Sequence, residues 1–364
     1  MSFNQTKPSS SIRPTTVSTR VLIVGGGPIG IETAVACQRA DIDHLVVEAG
    51  SIGHTISWWA PGTRWFSGND RISIAGVPLV TPDQTKATRE QYLAYLRSVV
   101  EQFDLSVRSY EEVVGIERQH DGFIVTTQAN SKQSQIRCKA IVLAFGGTHC
   151  PRTLGIEGET LPHVDGYLRE PHRYFGRRVL IIGGRNSAAE AAIRLHHAGA
   201  SVAISYRGNE LPEDGIKYWL LPELRGLIRA ERIRAYFATV PTRITPEHVY
   251  LKSLSDETQE TIIEVDDVLS LIGYEQDKTL WQVAGVELID STQRPVVDEE
   301  TMETNVPGIY AAGTAVAGTQ SSKFKTFLEN CHEHVDRIVA HLQGESAKQR
   351  SRKLDVEIAL QPES

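Results

Sequence analysis

No two cysteines of this chain stand in a Cys-x-x-Cys pair. The four present, Cys37, Cys138, Cys150 and Cys331, are scattered singly. That spacing makes the usual redox-active dithiol and half of many zinc sites. Its absence removes a disulfide between near neighbours from any mechanism. All four read as reduced thiols, which suits a reducing, cytoplasmic compartment. Basic charge is not in surplus either: 38 Lys and Arg stand against 45 Asp and Glu, a net charge of −7. Nucleic acid is therefore not an expected partner. No apolar stretch approaches the ~20 residues that a membrane-spanning helix needs, so no membrane partner is expected. His196-His197 and His332-x-His334 lack a carboxylate or cysteine set to complete a site, and no metal is expected. Residues 1–20 are rich in Ser, Thr and Pro and lack the apolar core of a secretory signal. They read as a disordered tail, with the fold starting at Val21. Residues 343–364, polar and charged, read as a mobile tail.

What the chain does have is two glycine fingerprints. Its 364 residues are enough for two domains. The first motif is Val21-Leu22-Ile23-Val24-Gly25-Gly26-Gly27-Pro28-Ile29-Gly30. Val21–Val24 reads as a buried parallel strand. Gly25 makes the tight turn, Gly27 lets the backbone approach a pyrophosphate, and Gly30 lets the following helix pack on the strand. The helix spans Ile31 to Ala40, with its N-terminal N–H groups facing the phosphates. A second strand, His44–Val47, ends at Glu48. An acid about 20 residues after the glycines is placed to accept from a ribose hydroxyl.

The second motif is Val179-Leu180-Ile181-Ile182-Gly183-Gly184-Arg185-Asn186-Ser187-Ala188. Arg185 takes the place of the second glycine and Ala188 that of the third. A guanidinium at the turn narrows the backbone approach but can itself contact phosphate. The helix from Ala188 ends near Gly199, a normal C-cap. The next strand, Ser201–Tyr206, ends at Arg207 instead of an acid. An Arg there suits the extra phosphate of NADP, so NADPH is the expected donor and NADH the alternative.

Two later segments resemble the flavin domain of disulfide reductases: Ala140-Ile141-Val142-Leu143-Ala144-Phe145-Gly146-Gly147 and Thr304–Thr314. In those proteins the second ends Gly-Asp, and the Asp holds the ribityl chain. Here Gly313 is followed by Thr314, whose hydroxyl can still hydrogen-bond a sugar but brings no charge. With Tyr206-Arg207-Gly208, Glu300–Asn305 and Phe327-Leu328-Glu329-Asn330 added, residues 21–342 resemble the thioredoxin-reductase-like flavoproteins, and within them the bacillithiol disulfide reductase-like group.

The resemblance implies an α/β fold of two Rossmann-like dinucleotide-binding domains of the three-layer ββα type. The NAD(P)-binding domain (165–270) would be inserted in a discontinuous FAD-binding domain (21–150 and 271–342). It implies bound FAD, a nicotinamide donor and a homo-oligomer. Expected flavin contacts are Gly25, Gly27, Pro28, Ile29, Gly30, Glu48, Val113, Ala144, Gly146, Gly313 and Thr314. Expected nicotinamide-side contacts are Gly183, Gly184, Arg185, Asn186, Ser187, Ala188 and Arg207, with Gly273 on the return crossing. In this group a proposed reactive cysteine lies between the Pro and Gly of the first motif. Here that position is Ile29, which has no nucleophile. Cys150 is the substitute candidate, without an activating base nearby in sequence. No catalytic residue is assigned.

The expected chemistry is hydride transfer from NADPH to FAD and onward to an acceptor the residues do not name, a small molecule or small thiol. A flavin monooxygenase is a second reading: Gly158 and His163-Val164-Asp165-Gly166-Tyr167 resemble the linker signature of those enzymes, with Ile156 at its leading Phe. A non-enzymatic flavin-binding redox sensor is a third, motivated by Ile29 and Thr314. The aromatic segment Trp58–Phe66 fits either flavin stacking or core packing, and Tyr218-Trp219 either the nicotinamide side or packing. The last helix is expected over about Phe324 to Gln343, with an apolar stripe that serves the core.

Overall fold

The computed structural model describes residues 16–256, 258–289, 291–318 and 326–345. Two five-stranded parallel sheets organise it. The first has the order Ile309–Ala311, Ala140–Leu143, Val21–Val24, His44–Glu48, Val107–Ser109. Its central strand, Val21–Val24, is buried at every residue, as expected of a parallel strand covered on both faces. The second sheet has the order Val164–Asp165, Asp267–Ser270, Arg178–Ile182, Ser201–Tyr206, Arg234–Phe237.

Side-chain alternation divides the second sheet into two packed faces. Val179 and Ile181 join Ala188, Ala192 and Leu195 of the helix Asn186–His197 in one apolar cluster. Leu180 and Ile182, one residue out of phase, pack instead against Val249 and Leu251 of an antiparallel meander. Helix, sheet and meander thus form three layers, and the period-2 reversal of the strand feeds both interfaces. The first sheet has its own meander, Glu112–Gln119, Gly122–Ala129 and Lys132–Cys138. The halves are joined by a short antiparallel pair, Cys150–Pro151 with Tyr274–Glu275.

Three expectations are corrected. The fold starts before Val21: Thr16–Ser18 form a strand in parallel register with Gln135–Arg137. Its backbone completes an edge, which needs no apolar pattern and so leaves none. Residues 1–15 and 346–364 of the two expected tails lie outside the described residues, as does Phe324. The last helix starts at His332 rather than near Phe324. Before it, Leu328–Asn330 make a 3-10 turn, and Phe327 is extended and half exposed. Val335, Ile338 and Val339 are buried as expected. Finally, both nucleotide-motif helices begin earlier than expected, at Pro28 and Asn186. A proline in the first turn costs nothing, because its missing N–H has no intrahelical partner there. Among the described residues no helix is long and apolar enough to cross a membrane.

Candidate active site

Backbone sterics shape the first glycine turn. Gly25 has φ +115°, and a Cβ on it would lie 2.5 Å from the Ala144 carbonyl oxygen. A Cβ on Gly30 would lie 1.9 Å from the Gly25 carbonyl oxygen. Both contacts are closer than a methyl group allows, so the turn and the helix Pro28–Arg39 can approach only through glycine. Gly27 is the opposite case: a Cβ there would meet none of the described residues within 4 Å. It faces a cavity of about 970 Å³, near the upper end of the range for ligand sites.

That cavity runs past Gly25, Gly27, Pro28 and Ile29 to Glu48. Glu48 braces the turn: Oε2 accepts from the Gly26 N–H at 2.6 Å and Oε1 from the Gly50 N–H at 2.8 Å. Each oxygen keeps a second lone pair for a further donor. Val113, Ala144, Gly146, Gly313 and Thr314 also line the cavity. Thr314 Oγ1 accepts from the Gly147 N–H at 3.2 Å, tying the ends of two parallel strands together. Ile29, almost fully buried, packs against Gly313. Four buried side-chain nitrogens of residues lining the cavity have no hydrogen-bond partner among the described residues: His54 Nδ1, Trp65 Nε1, Arg71 Nε and His149 Nδ1. Buried polar atoms are normally satisfied. Four such atoms around the cavity, together with an open glycine cradle, fit a polar ligand such as a dinucleotide.

The second turn meets this cavity differently. Asn186 and Ser187, at the start of the helix Asn186–His197, line it. Asn186 Oδ1 accepts from the Lys217 N–H at 2.7 Å, which holds the following loop against the helix. Gly184 lies under the Tyr206 ring, which a Cβ would meet at 2.3 Å. Gly30, Gly183, Gly184 and Ala188 shape their turns without lining the cavity. Arg185, Arg207 and Gly273 do not line it either. Arg185 and Arg207 are exposed at the turn and at the strand end.

Several wall residues, Glu190, Arg194, His149 and Tyr274, carried no sequence signal. Glu190 and Arg194 follow Asn186 by one and two helical turns and line the cavity. Burial pushes the Glu190 carboxyl up, opposed by the Arg194 guanidinium. Tyr167 and Tyr274 stack at 5.2 Å, and Trp58 meets Tyr167 edge-on at 5.6 Å. Burial lowers the His149 imidazole, partly offset by Asp277. The aromatic segment both lines the cavity and packs in the core. Trp58, Trp59, Trp65 and Phe66 line the cavity, while Trp65 also packs on Trp59 and on Tyr92. Trp219 packs edge-on against Phe66 at 6.0 Å.

No cysteine is among the residues lining this cavity. Cys37, Cys138 and Cys331 are buried; burial pushes the first two thiols up to about 12 and the third well above the ordinary value. Cys150, half-buried, pairs with Glu275 in the crossing strands, and burial with Asp277 and Glu275 raises its thiol. A thiolate is the nucleophile in thiol chemistry, and the surroundings of each thiol here disfavour that form. Gly158, read as part of a linker signature, has φ +85° and packs against the Ile244 carbonyl oxygen. Val164–Asp165 of that signature form the edge strand of the second sheet. Among the described residues no group of three or more His, Cys, Asp or Glu could hold a metal ion. His197 meets Glu223, and His332 meets Glu32.

Two parallel sheets, each with a glycine turn at its strand ends and sharing a cavity, define a thioredoxin-reductase-like flavoprotein oxidoreductase. The chain belongs to the pyridine nucleotide-disulphide oxidoreductase family, whose model matches residues 22–313. It is 35% identical over 327 residues to the bacilliredoxin reductase Bdr of Bacillus subtilis (strain 168), covering 90% of this chain and 98% of that one. The bacillithiol disulfide reductase Bdr (YpdA) of Bacillus cereus has a similar structure, with a TM-score of 0.84 and 32% identity over 92% of this chain and 100% of that one. A ferredoxin–NADP reductase of Ignicoccus hospitalis is 26% identical over 300 residues, 80% of this chain and 88% of that protein. Membership implies binding of FAD and of a nicotinamide dinucleotide.

Proposed function

We propose that this protein is an NADPH-dependent flavin reductase that reaches its acceptor without a thiol of its own. The observation that carries this reading is the shared cavity, which runs from the first glycine turn to the start of the second nucleotide helix with no cysteine on its wall. In this reading residues 21–150 and 271–342 hold FAD, and residues 165–270, inserted between them, hold NADPH. Gly25, Gly27 and Gly30 admit the flavin pyrophosphate. Glu48 accepts from a ribose hydroxyl, and the Thr314 hydroxyl meets the ribityl chain. Asn186 and Ser187 present helix-start N–H groups to the second dinucleotide, and Arg207 pairs with its extra phosphate. FAD held by these residues would supply the redox chemistry, as acceptor of a hydride from reduced nicotinamide and donor of two electrons to the acceptor. The chain's part is to position the two cofactors and exclude water.

The relatives named for bacilliredoxin, bacillithiol disulfide and ferredoxin suggest small redox partners as acceptors. Ile29, where the resembling group has its proposed cysteine, argues against a mixed disulfide on this chain. The test is NADPH oxidation under nitrogen with a quinone and with a low-molecular-weight disulfide, in the wild type and in Cys150→Ser. The expected result is acceptor-dependent oxidation that is the same in both proteins. Loss of the rate in Cys150→Ser, or no oxidation of NADPH or NADH with either acceptor, would overturn the reading.

A further inference from the structure

The segment Pro61–Phe66 is gripped from both halves of the molecule. On the flavin side, the start of the helix Arg89–Gln102 holds it rigidly. The Arg89 N–H donates to the Thr63 carbonyl at 2.7 Å, and Glu90 Oε1 accepts from the Gly62 N–H at 3.1 Å. The Arg89 guanidinium donates to the Trp59 carbonyl at 2.7 Å, and the Trp65 N–H donates to the Ala87 carbonyl at 3.0 Å. From the other side comes Arg194, on the helix whose first residues line the shared cavity. Its Nη1 donates to Thr63 Oγ1 at 2.6 Å, and its Nη2 donates to the Pro61 carbonyl. Glu190, one turn earlier, lies 3.6 Å from the same guanidinium and orients it.

A second grip is built from different residues. Trp219 packs edge-on against Phe66, and the Lys86 ammonium lies 4.5 Å over the Trp219 ring while donating to the Phe66 carbonyl. Trp219 is itself registered to the same helix, because Asn186 holds the backbone of Lys217 two residues before it. The two grips therefore connect the helix Asn186–His197 to one platform, the first from its last turn and the second through its first residue. The guanidinium is planar and meets two acceptors at once, so it sets orientation as well as distance.

We propose that Arg194 and Trp219 form a clasp on the Pro61–Phe66 platform that holds the nicotinamide-side helix at hydride-transfer register over the flavin half. Arg194 is a positioning residue. The clasp rests on the proposed function, since it matters only if both dinucleotides bind as described. A displacement of about 1 Å at a reacting centre can cost on the order of a hundredfold in rate. Loss of the clasp therefore slows the transfer step and leaves nucleotide binding nearly untouched.

The test compares wild type, Arg194→Ala, Arg194→Lys and the near-isosteric Thr63→Val, each as the purified holoprotein. Thr63→Val deletes one acceptor with little change of shape and keeps the test open if Arg194→Ala folds poorly. Anaerobic stopped-flow bleaching of the flavin by NADPH gives a limiting rate and a half-saturation concentration. The expected result for Arg194→Ala is a limiting rate about ten- to a hundredfold lower, with half-saturation within about twofold. Arg194→Lys and Thr63→Val should fall between. Hydrogen exchange without nucleotide should rise at the amides of residues 61–66 in Arg194→Ala. A bleached wild type with variants equally fast, a change confined to half-saturation, or unchanged exchange at 61–66 would each overturn the clasp. A wild type bleached by neither NADPH nor NADH would instead be a failure of the proposed function.

Discussion

The two glycine turns look alike as strings and differ as objects. In the first, Gly30 occupies a site where even a methyl group would collide with the Gly25 carbonyl, and Glu48 ties the second strand back to the turn. In the second, the equivalent of Gly30 is Ala188, and its Cβ is accommodated in the core. Arg185 stands exposed where the first turn has its open glycine, and Tyr206 stands where the first has its bracing acid, with Arg207 exposed one residue further on. The first turn is closed around its cavity; the second offers only the start of its helix. This difference suits one dinucleotide that stays and one that exchanges.

The sharpest way to break that comparison is to swap side-chain size at its two equivalent positions. Gly30→Val is expected to cost more than about 4 kcal/mol and to leave the protein colourless or insoluble, because the obstacle is backbone. Ala188→Gly should cost only about 2 kcal/mol, the helix propensity difference and one buried methyl. Melting temperature and flavin absorbance per chain check both; equal costs would erase the distinction between the turns.

Acid separates the halves next. His334 lies buried on the last helix, and burial, with Arg337 and His332, lowers its imidazole to about 4. The unfolded chain binds that proton near pH 6.5 and the folded chain does not. Stability is therefore intact above about 6.5 and falls as pH drops from about 6.5 to about 4, by roughly 2–3 kcal/mol. In the second half, Arg178 holds Asp266 at about 2, so that contact keeps its charge far below this window. Melts between pH 7 and 4 should show a steep loss that His334→Leu flattens. An unchanged slope would remove the acid contrast.

The smallest expected effect lies at the exposed end of the second turn. Arg207→Ala should raise the half-saturation for NADPH about ten- to a hundredfold, the worth of a charged hydrogen bond of about 1.5–3 kcal/mol. NADH should change little. Equal losses for the two nucleotides would deny Arg207 a role at the extra phosphate.

What the sequence disclosed follows the range of the interactions. The buried strands, the Gly25 turn and the acid at Glu48 rest on contacts within one βαβ unit, where spacing and residue type suffice. The edge strand Thr16–Ser18 was missed because backbone pairing to a distant strand asks little of side chains. Arg194 was missed because its acceptors, Pro61 and Thr63, lie more than a hundred residues away, and on a helix it reads as one more surface cation. The question left open at Cys150 needed its strand pairing with Glu275 and its burial. The overlong last helix came from an apolar stripe that continued through the 3-10 turn at Leu328–Asn330.

The central claim is that electrons enter at the second turn and leave from a flavin held by the first. Its most direct test is the visible spectrum of the purified protein under nitrogen, followed through separate additions of NADPH and NADH. The account predicts a yellow protein that both nucleotides bleach, NADPH faster. A colourless protein that takes up no FAD, or a yellow one that neither nucleotide bleaches, would contradict it.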